Sequence, residues 1–280
     1  MGGKKRDHFN PVLLLHRFAN ADGVLHMFDK RQAHLGVREV GPRDIYVHKH
    51  LYSEIAPDGS RRRDLDDFYT NLENIAAPII TKIINAARAG RIPGLSIQEK
   101  SNWDLFLYNQ WRRVPDSYER FPFEQSDVDA LIAEYETKFR PATDEERTYF
   151  KDAKNFARLK QNVRIGALKT QSNLVLDALG RRGLGVAVIS KPNKSFVTGS
   201  FPVVKLTNPN NPQLDHPETE AWIAIAPDVA VTPSGKRRTE RIVEIKDDRH
   251  VRAINRALFK QSSSIAGRSK ELVASLAGLK

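Results

Sequence analysis

The sequence predicts an α+β fold, a helical bundle packed on a mostly antiparallel sheet formed by an N-terminal strand and the C-terminal strands. Three observations point there. The periodic segments run strand, helices, strands, helix, and do not alternate as a doubly wound sheet would. Apolar residues recur at helical spacing through the middle of the chain, about 61–180. Short runs rich in Val, Ile, Thr and aromatics lie mainly at 24–28 and in 183–246. The whole is read as one domain, 1–280, closed by a C-terminal helix over 249–276.

Residues 9–18 are apolar and end in an Asn20-Ala21-Asp22-Gly23 turn, after which Val24 to Phe28 alternates as a strand. Asp44 to Val47 predicts a second short strand. Arg61 to Asp67 is polar and ends in acids, a helix start, and Phe68, Leu72, Ile75, Ile79 and Ile83 continue at helical spacing to Gly90. Ser96 and Glu99 have the spacing of a capping box. The helix they open carries Trp103, Phe106, Leu107 and Gln110, with Pro115 ending it. Ser126 to Phe139 reads as a further helix, and a long basic helix runs from Asp144 to about Gly180. Strands are expected at 185–190, 195–198, 203–206, 222–231 and 241–246, with a polar, Pro-rich loop from Asn208 to Pro217.

Composition excludes several classes. At 40% hydrophobic and 28% charged, the chain can bury a sizeable core and is neither a disordered polymer nor a fibre. No apolar run approaches the roughly 18 residues of a spanning helix, so no membrane partner is expected. With no cysteine there is no disulfide, catalytic thiol or thiolate metal site. The basic start Lys4-Lys5-Arg6 is followed at once by Asp7, His8 and Asn10, which does not fit a secretory signal, and a cytoplasmic location is expected. No Gly-rich phosphate loop comes after a strand, and no Gly-x-Ser-x-Gly elbow is present.

Charge is uneven. Residues 1–63 hold 12 Lys/Arg and 7 Asp/Glu, a net +5; residues 64–150 hold 10 and 16, a net −6; residues 151–280 hold 23 and 11, a net +12. A pI near 9.8 invites an anionic partner, of which nucleic acid is the commonest. The expected contacts are Lys151, Lys154, Arg158 and Arg164 on the basic helix, and Lys236, Arg237 and Arg238 in a turn.

Two constellations carry chemistry. His8, Glu73, Gln110 and Arg113 are polar groups among apolar ones. Gln110 and Arg113 share a helix face, and a Glu73–Arg113 pair between helices would satisfy both charges. Functionally, His8 would act as general acid/base, Arg113 would hold a phosphate or carboxylate, and Gln110 would orient a ligand or water. The alternative is Asp228 after Pro227, then Glu244 and Lys246 one strand later. That pattern suits a metal-dependent nuclease in which two carboxylates bind Mg²⁺ and the lysine positions water. The plainer account makes Asp228 part of a strand bend and puts Glu244 and Lys246 on a solvent face. His48-Lys49-His50 has metal-like spacing but lacks a third ligand.

Landmarks along the chain resemble a known family. His8 to Ala19, then Gly23 to Asp29, resembles the opening of the domain of unknown function 4238 family: a His, a Pro, an apolar-aromatic run and Phe-Ala before a Gly turn and a strand. Leu72-Glu73 on a long helix, Gln110-Trp111-Arg112-Arg113-Val114-Pro115, Phe196 to Val203, Ala226-Pro227 and Ile254-Asn255 fall in the same order, so the resemblance covers about 8–275. One departure is clear: where the family has Thr-Ser-Asp-x-Pro, this chain has Gly199 and Ser200 in place of the Ser and Asp. The resemblance implies no activity. The expected function is therefore nucleic-acid binding, with phosphodiester cleavage as its enzymatic form. The alternative is a non-catalytic sensing or protein-interaction module, for which the acidic segment 116–146 would be the surface.

Overall fold

A computed structural model describes residues 6–119, 122–207, 213–216 and 218–279. The chain opens with β1 (Arg6–His8), α1 (Val12–Phe18) and β2 (Leu25–Asp29), then a 3-10 segment over Lys30–Leu35. Four short strands come next: β3 (Arg38–Val40), β4 (Val47–Lys49), β5 (Glu54–Ile55) and β6 (Arg61–Arg62). The helical middle comprises α2 (Asp64–Arg88), α3 (Ile97–Arg112), α4 (Pro115–Tyr118), α5 (Gln125–Lys138), α6 (Asp144–Lys151), α7 (Ala153–Lys169) and α8 (Asn173–Gly180). Then come β7 (Gly183–Ile189), β8 (Thr198–Gly199), β9 (Val203–Leu206), β10 (Glu220–Ala226), β11 (Val229–Ser234) and β12 (Glu240–Ile245). The chain closes with α9 (Asp248–Gln261), β13 (Ser264–Gly267) and α10 (Lys270–Ala277).

The α+β class holds, with two main sheets where one is expected from sequence. One runs β12-β7-β11-β10-β9, antiparallel except for the parallel β12–β7 pair. The other runs β3-β2-β13-β8 and is antiparallel throughout. The N-terminal strand β2 therefore pairs not with the strands of 183–246 but with β13, inside the stretch predicted as the terminal helix. That helix ends where Ser262 and Ser263 bond distant parts of the chain: Ser262 Oγ donates to the Phe201 carbonyl (3.3 Å) and Ser263 Oγ to Asp116 (3.0 Å). Ile265 and Ala266 are then fully buried between β2 and β8.

Helices α2 and α3 cover the larger sheet. Ile79, Ile80, Ile83 and Ile84 of α2 and Trp103, Phe106 and Leu107 of α3 share a core with Val186, Ile223, Ile225 and Val231. The buried stripe of α2 runs through Leu72, Ala76, Ile79 and Ile83, whereas Ile75, placed on it by spacing, is 47% exposed. Ser96 and Glu99 form the capping box of α3. On the second sheet, Leu258 and Val273 pack against Phe28, Val197 and Ile265. A further core around Leu15, Phe18, Tyr52, Tyr69 and Phe196 adjoins both: Trp111 packs against it and the α2–α3 core, and Trp222 against it and the core of the second sheet.

Other boundaries shift for local reasons. The basic stretch 144–180 is three helices, because Asp152 and Ser172 turn the chain. Each then caps the next helix, accepting from the amides of Asn155 and Val175 respectively. Arg61 and Arg62 form a hairpin strand, and α2 starts at Asp64 with acids in its first turn. Helix α3 stops at Arg112, and Pro115 begins α4. The segment 222–231 is a hairpin turning at Pro227-Asp228. Of 195–198, only Thr198 is in a strand, and Tyr46, with φ 53°, ends the irregular segment before β4. Of the 208–217 loop, residues 208–212 and 217 lie outside the described residues, as do Lys4 and Lys5. No described helix is long and apolar enough to cross a membrane.

Candidate nucleic-acid interface

Helix α7 is amphipathic in two senses. Ile165 and Leu168 face the core, while Lys154 is exposed one turn before half-buried Arg158. Its polar side chains stitch it to the segment after β4. Gln161 donates to the carbonyls of His50 (3.2 Å), Leu51 (3.3 Å) and Ser53 (2.8 Å). Asn162 pairs with Ile55 in both directions at 2.8 Å, as a neighbouring strand would. Arg158 donates to the Pro57 carbonyl at 3.2 Å and lies 5.6 Å over the Tyr149 ring.

This stitching gathers basic and polar residues from three stretches of chain. His48, Lys49 and His50, then Arg61, then Gln161 and Arg164 line a cavity of about 350 Å³ whose lining holds no carboxylate. His48, Lys49 and Arg61 are exposed. Burial and then the charges of Arg61 and Lys49 push the His50 imidazole below its ordinary value, against an opposite pull from Asp7. His50 holds a positive φ of 56°, which turns the chain from β4 toward α7. Glu54, close by, is already engaged by Lys169 at 2.7 Å.

The expected contacts divide. Lys151 and Lys154 are exposed on α6 and α7, and Arg158 is half-buried beside them. The Arg164 guanidinium donates to the Leu51 carbonyl and to Gln161 (2.7 Å) and lies 4.8 Å over Tyr118, which holds it in the cavity wall. Lys236, Arg237 and Arg238 are exposed on the β11–β12 turn, where Arg237 and Arg238 border a different cavity. Sequence reasoning does not bring His48-Lys49-His50 and Arg61 to one cavity with α7. The available signal is the density of cations in 43–63, masked there by a metal-like spacing and a helix start.

The four polar residues of the first constellation do come together. Arg113 Nη2 donates to Glu73 Oε1 at 2.6 Å, and Arg113 Nε donates to the Phe9 carbonyl at 3.1 Å. The Gln110 carbonyl accepts from Arg113 Nε at 3.2 Å and from Nη2 at 3.0 Å, and the guanidinium lies 4.9 Å over Tyr69. Burial opposes the charge on Arg113, and Glu73 outweighs it. Next to this group His8 bonds the Arg43 carbonyl at 3.1 Å, and burial pushes its imidazole down. Arg113 and Gln110 are both 0% exposed. The geometry is that of an internal ion pair.

The second constellation separates. Both carboxylate oxygens of Asp228 accept from Arg88, at 2.7 and 2.8 Å. Burial pushes the Asp228 carboxyl up, yet Arg88 holds it below the usual range. Glu244 and Lys246 are exposed, Glu244 on β12 at the edge of the sheet. Strand β7 lies between them and the hairpin that carries Asp228. Among the described residues, no group of three or more His, Asp or Glu is placed to hold a metal ion. The residues expected to serve Mg²⁺ thus lie apart, with Asp228 paired to Arg88 and Glu244 and Lys246 exposed to solvent.

The departure at Ser200 has a local explanation. Ser200 Oγ donates to Asp116 at 2.5 Å, and Asp116 also accepts from the Ser263 amide (2.6 Å) and hydroxyl (3.0 Å). The carboxylate at this place is thus supplied by α4, and a hydroxyl at 200 is its natural partner.

The chain is an α+β protein with two main sheets and a buried Arg113 paired with Glu73. The chain belongs to the family described as protein of unknown function (DUF4238), whose model matches residues 6–271. No curated protein and no solved structure matches it.

Proposed function

We propose that the protein binds nucleic acid through the face where α7 meets β4 and the β5–β6 hairpin. The observation that supports this is the cavity lined by His48, Lys49, His50, Arg61 and Arg164 with no acid in its lining. Such a site favours phosphate oxygens, and each contact releases counterions from the polyanion. Exposed Lys154 extends the cationic surface along α7, and Tyr149, 42% exposed beside Arg158, offers a ring to an unstacked base. Binding of this kind fits a cytoplasmic protein. Cleavage is not part of the proposal, since Glu73 and Asp228 are each committed to an arginine.

The test is fluorescence anisotropy with labelled single-stranded RNA and DNA about 20 nucleotides long, at low salt of about 50 mM NaCl. Wild type binds, and Arg61→Glu combined with Lys154→Glu weakens binding at least tenfold, while Lys270→Glu on α10 leaves it unchanged. Absence of wild-type binding, or equal loss in all variants, overturns the proposal.

A second reading, a protein-interaction module, is favoured by one observation. Leu131, Tyr135 and Phe139 lie at four-residue spacing along the outer face of α5 and are 55%, 39% and 75% exposed. Analytical ultracentrifugation tests self-association there: Leu131→Ser with Phe139→Ser lowers the sedimenting mass if α5 is the contact and leaves it unchanged if not.

A further inference from the structure

A cavity of about 780 Å³ lies apart from the basic face, between the start of α3, the end of α8 and the β11–β12 turn. Its volume is within the range of small-molecule sites, roughly 300–1,000 Å³. One side is apolar, with Leu95, Leu105, Leu176 and Leu184. Two buried charged residues line it: Asp104, 4% exposed, whose two carboxylate oxygens accept from Lys100 at 2.7 and 2.6 Å, and Arg182, 7% exposed, which donates to the Leu214 carbonyl at 3.1 Å. Arg237 and Arg238 are exposed and so stand at the mouth. Neither makes an ion pair or side-chain hydrogen bond among the described residues, unlike Glu240 beside them, which accepts from the amides of Gly94 (2.6 Å) and Leu95 (2.7 Å).

The turn that presents the two arginines is fixed. Thr239 Oγ1 donates to the Lys236 carbonyl at 2.6 Å, and the Leu184 amide donates to the Thr239 carbonyl at 2.8 Å. Gly183 lets this turn close on β7, because a Cβ there would collide with the carbonyl of Thr239. Two free guanidinium groups on a rigid turn, above an apolar wall and a buried carboxyl, suit a ligand with three parts. These are an anionic group for the arginines, a flat apolar body for the leucines, and an N–H edge for Asp104. Burial raises the Asp104 carboxyl to about 6, so near neutrality it accepts from such an edge.

We propose that this cavity is a mononucleotide site, with Arg237 and Arg238 on the phosphates and Asp104 on the base. The site is independent of the α7 face, and its failure would leave that reading untouched.

Isothermal titration calorimetry of the full chain with AMP, ATP, GTP, adenosine and pyrophosphate tests it. At least one nucleotide binds at least tenfold more tightly than both adenosine and pyrophosphate. Arg237→Ala with Arg238→Ala weakens that nucleotide at least tenfold without moving the thermal midpoint. Asp104→Asn changes the order of preference among the nucleotides. The proposal is overturned if no nucleotide binds at millimolar concentration. It is also overturned if pyrophosphate binds as well as ATP, or if the double arginine variant binds like wild type.

Discussion

The Arg113 guanidinium reaches Glu73 Oε1 at 2.6 Å across 40 residues of sequence, joining the C-terminal end of α3 to the middle of α2. Arg113 is wholly enclosed and Glu73 partly buried, with 1% and 23% of their side chains exposed. Removing one partner of such a pair strands a charge. Glu73→Ala is expected to lose about 3 kcal/mol of unfolding free energy. Glu73→Gln, which keeps an acceptor, loses less. Urea titration at neutral pH measures both, and equal midpoints for wild type and Glu73→Ala would show that the pair contributes nothing.

Asp104 gives a pH signature. Burial raises its carboxyl from the ordinary value to about 6, so between about pH 4 and 6 the folded state holds a proton that the unfolded state has lost. Its contribution to stability therefore falls as pH rises through that window, by about 3 kcal/mol in total. Asp104→Asn abolishes this slope. Denaturant midpoints for both proteins at about pH 4.5 and about pH 6.5 check the sign, and parallel pH profiles would refute it.

Ser200 predicts a rescue. Ser200→Asp restores the acid of the family motif but sets a second carboxylate against Asp116, which Ser200 now meets at 2.5 Å. The substitution is expected to cost roughly 3–5 kcal/mol near neutral pH as an uncompensated buried charge. Adding Asp116→Asn recovers most of it. Thermal midpoints of the single and double variants decide the matter, and a double variant no better than the single one would contradict the pairing.

Gly183 tests the turn. Gly183→Ala forces apart β7 and the 236–239 turn, because the obstacles include the backbone carbonyls of Thr239 and Lys236, which cannot swing away as a flexible side chain would. The expected cost is about 1–3 kcal/mol, seen as a lower midpoint in a thermal melt. Gly166→Ala, with nothing near its Cβ, should be neutral or stabilising in the same melt. Equal midpoints for Gly183→Ala and wild type would show that the turn does not need the close approach.

Local chemistry was legible in the sequence and long-range pairing less so. The Ser96–Glu99 cap and the stripe of α2 come from spacing, because both depend on residues within a few turns of one another. The partnership of Glu73 with Arg113 was legible too, since two charges among apolar residues need each other. The insertion of β13 between β2 and β8 was not, because amphipathic spacing continues through Ser262–Ser264 and only tertiary pairing decides against a helix there. The basic face was half legible. Lys154 and Arg158 stand out on α7, but His48, Lys49 and Arg61 reach the same cavity only through side-chain bonds from Gln161 and Asn162.

The most direct test of the nucleic-acid reading is the salt dependence of wild-type affinity for a single strand of about 20 nucleotides, titrated from about 50 to about 200 mM NaCl. About three or four phosphate contacts predict that log affinity falls linearly with log salt, with a slope of about −2 to −3. A flat line, or no measurable association at the lowest salt, would contradict it.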